Sequence, residues 1–553
     1  MFCEDLRALS AAPGHIVVVG SGPVGLVVAM ELAKQNHAVT LIESGLMEPD
    51  EGIQRLSEAQ LADPKRNKPM TLAVQRRFGG TSNLWGAGCV PLDPVDFEPR
   101  PVAALVSWPI SYQDYAAHLD EACSYAGCGT RFCEPIRRLQ QSDDLFTTEN
   151  LIRYAEPASF RKAYAGRIAA SPRIAAFLGA TVVGLQFGSD GRVAALTVRG
   201  RDGETANVAA RSFVLACGGV ETTRLLLAAQ TEAPQRFGGE DGPLGRFYMG
   251  HLSGAIADIR FDSAELDAGF DFFRLDGGAY GRRRLVACAA YQRSEGVGNV
   301  SFWPSMPAMA KPEHRDPILS LAYLALAAPK LGPLLMTEAL RQINIGDGGQ
   351  TAEHLWNVVT GLPSVAGFLP VFVYRRMLAH YRLPGLHHRN AARRYALHYH
   401  AEHLPNSTSR IRPASEVDAL GLRKVVVDLR FADADAHSVV RSHEMLADWL
   451  SRTGFGELLW HHPGEDREAA VLDLAGDGVH QIGTARMGEN ARTGVVDGDC
   501  RVFGSANLFL AGSAVFPTSG QANPTLSAMA LAVRTARRIA SEVPAAEQAI
   551  GGA

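Results

Sequence analysis

Residues 15–45, HIVVVGSGPVGLVVAMELAKQNHAVTLIESG, contain two short apolar runs separated by a longer, helix-length one. A short unbroken apolar run that stops at glycine suits a buried strand, whereas the longer run, ending in Lys34 and Gln35, suits a helix. The segment therefore predicts a strand, a glycine turn, an amphipathic helix and a second strand closing on Glu43, which is one βαβ unit. The pattern recurs downstream. Residues 180–200 read as a strand pair around the turn residues 189–191, and residues 211–229 as strand, glycine turn and helix. Residues 506–517 read as a short buried strand that leads through Asn523-Pro524 into a helix ending near Ile539. The expected fold is α/β. Segments 14–100, 176–251 and 471–545 would assemble a discontinuous Rossmann-like domain, and segments 101–175 and 252–470 an interleaved α+β domain built on a β-sheet. No internal repeat is visible.

One stretch departs from this pattern. Residues 355–374, LWNVVTGLPSVAGFLPVFVY, are twenty consecutive uncharged positions, preceded by the apolar ILSLAYLALAAPKLGPLLM at 318–336. The length suits a membrane span, but Pro363 and Pro370 would interrupt a helix, Asn357, Thr360 and Ser364 need partners, and Lys330 breaks the earlier run. Buried helices are the expectation. A membrane-docking or lipid-substrate surface formed by the insertion 318–374 stands as the alternative.

Composition narrows the function classes. With 46% hydrophobic and 20% charged residues the chain is globular, and its net charge of -4 gives no electrostatic reason to expect a nucleic-acid partner. The arginine pairs Arg76-Arg77, Arg375-Arg376 and Arg393-Arg394 are too short for a basic stripe. Eight cysteines in 553 residues are far too few for a disulfide scaffold. Cys123, Cys128 and Cys133 lack the usual metal-ligand spacing, so no metal is expected. The N-terminus is acidic where a signal peptide needs basic residues. A cytoplasmic location is expected, with membrane association left open by 318–374.

Chemistry enters at the glycines. Gly20, Gly22 and Gly25 form G-x-G-x-x-G directly after a strand: the first permits the tight turn, the second lets a pyrophosphate approach, and the third allows close helix packing. Glu43, eighteen residues after Gly25, could accept hydrogen bonds from both ribose hydroxyls. That favours an unphosphorylated ribose, as in FAD or NAD, over NADP.

At the other end of the chain lie HQIGTARMG, residues 480–488, and ANPTLSAMALA, residues 522–532. With the glycine motif, RRFGGTSNLWGAGCVPLDPVDFE at 76–98, WPISYQDY at 108–115 and LPNSTSRI at 404–411, these segments resemble in kind and order the glucose-methanol-choline (GMC) family of FAD-dependent alcohol oxidoreductases. The C-terminal part is most similar to the sugar-oxidising branch that includes pyranose oxidases and bacterial glycoside 3-oxidising enzymes, whose active-site pair is His and Asn. The matching positions are His480 and Asn523. The resemblance implies FAD near Gly80, Thr81, Ser82, Asn83, Val182, Gly512, Ser513, Asn523, Pro524 and Thr525. In pyranose oxidases a histidine bonds covalently to the flavin; Leu84 occupies the aligned position and has no nucleophile, so noncovalent FAD is expected.

Chemistry gives that pair roles independently. Oxidising an alcohol requires removal of the hydroxyl proton while the carbon-bound hydrogen leaves as hydride to flavin N5. A neutral imidazole is well matched to that proton near pH 7, which makes His480 the candidate base. Asn523 cannot compete for the proton, but its amide can donate to the developing alkoxide and accept from another hydroxyl. His251, His398, His400 and His403 are further histidines; His398 and His400 alternate as on one strand face, which favours a structural or substrate-lining role over metal ligation. The expected function is FAD-dependent oxidation of a secondary alcohol to a ketone, on a sugar or glycoside, with an unidentified electron acceptor. A lipid-like or sterol-like alcohol and a non-catalytic flavin-binding partner protein are the alternatives.

Overall fold

The computed structural model describes residues 2–11, 16–136, 145–275, 278–336, 341, 344–346 and 349–543. His15, which opened the first expected strand, and parts of the 318–374 insertion lie outside them.

In chain order, β1 (Phe2–Cys3) precedes the expected unit β2 (Ile16–Val19), α1 (Pro23–Lys34) and β3 (Val39–Ile42). After β4 (Ile174–Phe177) come the strand pair Thr181–Phe187 and Val193–Arg199, then β5 (Ser212–Leu215) and α2 (Gly219–Glu232). The chain then builds β6 (His251–Gly254), β7 (Ala257–Phe261), β8 (Val300–Ser305), α3 (Pro317–Ala327), α4 (Thr351–Thr360), α5 (Leu362–Val373), β9 (Arg394–Glu402) and α6 (Asp433–Thr453). It returns with β10 (Leu508–Leu510) and α7 (Pro524–Glu542). The first sheet has the order β1-β4-β3-β2-β5-β10, and all its pairings are parallel. All four residues of β2 are buried, as are those of β3 and β5, because helices cover both faces of such a sheet. The second sheet is antiparallel and centres on β9, which pairs with β6, β7 and β8.

Two details differ from the sequence pattern. First, α1 is not amphipathic: Gly25 to Leu32 are all buried, because α7 covers the face that would otherwise meet solvent. Even Glu31 is buried, bonded by the Tyr125 hydroxyl at 2.7 Å and by Arg537 at 3.3 Å. Second, the apolar residues of segment 101–175 divide between the two cores: Ile136 and Phe146 join that of the antiparallel sheet, but most do not. Trp108, Tyr115, Cys123, Phe160 and Ile174 pack in the core of the parallel sheet, and the Tyr115 hydroxyl lies 2.7 Å from Ser527 on α7. The second core is formed by the β9 sheet and α6, with Phe302, Tyr399 and Trp449 at its centre.

The apolar insertion also corrects an expectation. α3 is substantially buried through Ile318, Leu319, Tyr323 and Leu326, but α4 and α5 are not. Leu355, Trp356, Val359, Leu362, Leu369, Val371 and Val373 are exposed, and Val365 is the buried residue of α5. The chain bends by 91° between α4 and the helical stretch after it. The break falls at Gly361, whose packing against Pro317 leaves no room for a side chain, while Pro370 lies inside α5. No described single helix is long and apolar enough to cross a membrane; this bent pair meets the test only in combination, by length and composition.

Candidate active site

A cavity of about 570 Å³ opens where β2, β3, β5 and β10 end. Its floor is the glycine turn. Gly20 has φ +99°, a left-handed conformation, and a β-carbon there would meet Ala216 O at 2.5 Å. A β-carbon on Gly25 would meet Gly20 O at 1.9 Å, so only glycine lets α1 start this close to the strand. Gly22 has open space beside it, and α1 begins there with no side-chain cap on its N-terminal N–H groups. An uncapped helix N-terminus behind an open glycine is the cradle a pyrophosphate requires. Glu43 lines the cavity, but its carboxylate already accepts from Ser21 N (2.8 Å), Ser21 Oγ (2.6 Å) and Gly45 N (2.7 Å). Little capacity remains for gripping two ribose hydroxyls.

The far end of the cavity brings His480 and Asn523 onto one wall system with Gly88, Val479, Gln481 and Tyr154. The Asn523 amide donates to Gly88 O at 3.2 Å, which leaves one N–H and the carbonyl oxygen for a ligand. Behind His480 stands a group of rings. Its Nδ1 lies 3.0 Å from His251 Nδ1 and 3.2 Å from Asp477 Oδ2. His251 stacks on His400 at 4.1 Å, and His400 Nδ1 donates to Gln521 O at 2.8 Å. Ring nitrogens of His251, His400 and His480 all lie within 4.8 Å of one another. Burial keeps His251 and His400 uncharged: it lowers His251 well below the ordinary histidine value and pulls His400 down to about 3. Asp477 is the counterweight. Burial alone would raise its pKa, but its contact with the His480 ring and the backbone N–H groups of His480 and His251 hold it at about 2.

Most residues picked from the sequence line this cavity: Gly20, Gly22, Glu43, Gly80, Thr81, Ser82, Val182, Gly512, Ser513, Asn523, Pro524, Thr525 and His480. Two do not. Gly25 packs beneath the turn, and Asn83 is turned away, its amide donating to Phe78 O (3.1 Å) and Gly80 O (2.8 Å) and its oxygen accepting from Ser159 (2.8 Å). Asn83 holds the glycine loop's shape rather than touching a ligand. Ser82 lines the cavity, but its hydroxyl is committed to Gly79 O and Phe160 N. His398 and His400 do share a face, against Trp303 at 4.7 and 6.4 Å. Lys68, Met70, Cys217 and Asp477 were not found from the sequence. The signal for Asp477 was its place three residues before His480, a spacing that means little until the loop's shape is known.

The cavity fits FAD. It combines a phosphate cradle with an apolar wall of Leu84, Trp85, Ile152 and Ala528, and with polar groups both beside Glu43 and at His480 and Asn523.

Comparison with known proteins agrees. Residues 405–532 match the family model described as GMC oxidoreductase, and residues 18–46 match that of an NAD(P)-binding Rossmann-like domain. The chain is 35% identical over 132 residues to the C-glycoside 3-oxidase of Microbacterium trichothecenolyticum, a match that spans 24% of each protein. It is 23% identical to the paromamine 6'-oxidase of Streptomyces fradiae, over 96% of this chain and 91% of that one. A fungal aryl-alcohol oxidase structure shares the fold at a TM-score of 0.51 and 13% identity, covering 96% of this chain and 99% of that one. The chain thus carries a GMC oxidoreductase match in its C-terminal segment and a Rossmann-like match in its first, and over nearly its whole length it is similar to the paromamine 6'-oxidase and shares the fold of the aryl-alcohol oxidase.

Proposed function

We propose that the protein oxidises a secondary hydroxyl of a sugar or glycoside to a ketone, using noncovalently held FAD. The observation that carries this reading is that His480 and Asn523, 43 residues apart, line the same cavity as the glycine cradle. The relatives named for a C-glycoside and for paromamine support the substrate class. FAD, when bound, supplies a two-electron acceptor for the hydrogen on the carbinol carbon. The residues do the rest. Among the described residues no protein group bonds His480 Nε2, so that nitrogen is free to take the hydroxyl proton. Asn523 retains one N–H to steady the developing alkoxide, and its carbonyl oxygen can hold a neighbouring hydroxyl. Leu84 offers no nucleophile to the flavin, and burial pushes the Cys217 thiol up to about 12, which keeps it from acting as a thiolate.

The direct test is stopped-flow flavin reduction under anaerobic conditions, which separates this step from reoxidation by whatever acceptor the protein uses. His480→Ala should keep its flavin and reduce it roughly 10²- to 10⁴-fold more slowly with a sugar substrate, the usual range for losing a general base. Undiminished reduction would exclude His480 as the base. A panel of glycosides and hydrophobic alcohols in the same assay separates the sugar reading from a lipid-like substrate.

A second proposal concerns the insertion: α4 and α5 rest on an anionic membrane surface. The exposed Leu355, Trp356, Val359, Leu362 and Val371, with Tyr374 and Leu378 beyond, supply apolar and interfacial side chains. Charge complements them. After Glu353 in the first turn of α4 there is no Asp or Glu as far as Ala401, but there are Arg375, Arg376, Arg382 and Arg389, besides Arg394, which is paired with Asp258.

A further inference from the structure

The contact between His480 Nδ1 and His251 Nδ1, at 3.0 Å, holds one proton, and which ring carries it decides whether His480 can act as a base. If His251 carries the proton, His480 Nδ1 is a bare lone pair and its own proton sits on Nε2, the atom that must be free. If His480 carries it on Nδ1, Nε2 is unprotonated and ready to accept. Nothing in either ring makes that choice.

Asp477 makes it. Its Oδ2 lies 3.2 Å from His480 Nδ1 but 4.0 Å from His251 Nδ1. With the proton on His251, the carboxylate would face a lone pair at 3.2 Å, and two acceptors would be pressed together. With the proton on His480, the N–H is shared between Asp477 Oδ2 and His251 Nδ1, and every contact has a donor and an acceptor. The far side of His251 does not disturb this choice, because its buried Nε2 has no hydrogen-bond partner in either arrangement.

The carboxylate itself is firmly held. Oδ1 accepts from the backbone N–H groups of Val479 (2.9 Å) and His480 (3.1 Å), and Oδ2 accepts from the backbone N–H of His251 (2.8 Å). Gly250 allows this closeness, since a β-carbon there would meet Asp477 Cβ at 2.6 Å. Besides these rings, Lys68 and Tyr248 act electrostatically on Asp477, and His403 on His251.

We infer that Asp477 is a positioning residue: it fixes the His480 tautomer with the proton on Nδ1 and so leaves Nε2 to receive the substrate's hydroxyl proton. The same carboxylate then faces the imidazolium that the transfer creates. This inference rests on the assignment of His480 as the base.

The test is a double-mutant cycle with Asp477→Asn and His480→Ala, read by anaerobic flavin reduction. In Asp477→Asn the amide oxygen can still accept from Val479 and His480, but its NH2 replaces Oδ2, gives up the bond from the His251 backbone N–H and donates toward Nδ1, which favours the wrong tautomer. The limiting reduction rate should fall about 10²- to 10⁴-fold, as expected for losing a tautomer-fixing carboxylate, while the half-saturating substrate concentration changes by less than about threefold. In the His480→Ala background the same substitution should cost nothing further, because Asp477 acts only through His480. A loss that multiplies with that of His480→Ala would mean a merely structural role and overturns the inference. Imidazole ¹⁵N spectra of the purified protein, with His480 assigned by its absence in His480→Ala, should show the proton on Nδ1. A proton on Nε2 overturns the inference even if Asp477→Asn does not fold. So does a stoichiometric metal ion in the purified protein, which would need the ring nitrogens bare. Normal reduction by His480→Ala sinks the base assignment instead, and leaves the spectra to decide the role of Asp477.

Discussion

Gly22 and Gly25 stand three residues apart in one motif, yet replacing each with alanine should damage different properties. A β-carbon on Gly25 would lie 1.9 Å from Gly20 O and 3.3 Å from Ala216 Cβ, and real β-carbons essentially never approach closer than 3.0 Å. The first turn of α1 must therefore move away from the β2 turn by about 1.1 Å, against a helix whose residues 25–32 are buried on all sides. Overpacking of this kind costs about 1–3 kcal/mol where neighbours can give, and more where the obstacle is backbone, as here. Gly25→Ala should thus lower the stability of the flavin-free protein by roughly 3 kcal/mol or more. Gly22 is the opposite case. Its φ of -64° suits any residue, and no protein atom lies within 4 Å of the added β-carbon. Gly22→Ala should leave the flavin-free protein unchanged or stabilise it by about 0.4–1 kcal/mol through the unfolded chain, while the methyl group occupies the space where a pyrophosphate must approach and weakens FAD binding. Denaturant unfolding of flavin-free protein and FAD titration by fluorescence quenching separate the two effects. Unfolding of Gly25→Ala at the wild-type denaturant concentration, or FAD binding by Gly22→Ala as tight as wild type, would refute these separate roles.

Three further outcomes are expected. Acid precipitation should release the yellow colour into the supernatant, and colour retained by the pellet would reveal a covalent flavin bond that Leu84 cannot form. Burial holds His398 and His443 at about 4 and His400 at about 3, all below the 6.5 of an unfolded histidine. Between those values the unfolded chain binds the extra protons, so the stability is fully present above pH 6.5 and lost as pH falls, by up to about 1.4 kcal/mol per pH unit for each ring. Unfolding midpoints at pH 7 and pH 5 check this, and equal midpoints would contradict it. Finally, the protein should float with phosphatidylserine vesicles more than with neutral ones, and Trp356→Ser with Leu378→Ser should reduce it. Flotation with neither, together with concentration-dependent self-association, would assign the exposed face to a second copy of the chain.

The local pattern of the sequence was enough to specify the βαβ unit, the glycine turn and the late strand and helix, because each rests on a short-range rule of periodicity or backbone geometry. It also pointed to His480 and Asn523, since their residue types match the chemistry and their segments resemble a family's. What it could not specify was what covers each face. α1 became a buried helix only because α7, five hundred residues away, packs on it, and segment 108–174 was divided, Trp108, Tyr115 and Phe160 going to the first core and Phe146 to the second. Asn83 read as a ligand contact until the loop's own carbonyls claimed its amide. The exposure of α4 and α5 was likewise invisible, because an apolar run has the same composition whether buried or not. Asp477 and His251 meet His480 through a turn and a strand that approach only in the folded chain, so the proton arrangement on which the proposed base depends was decided by tertiary contact alone.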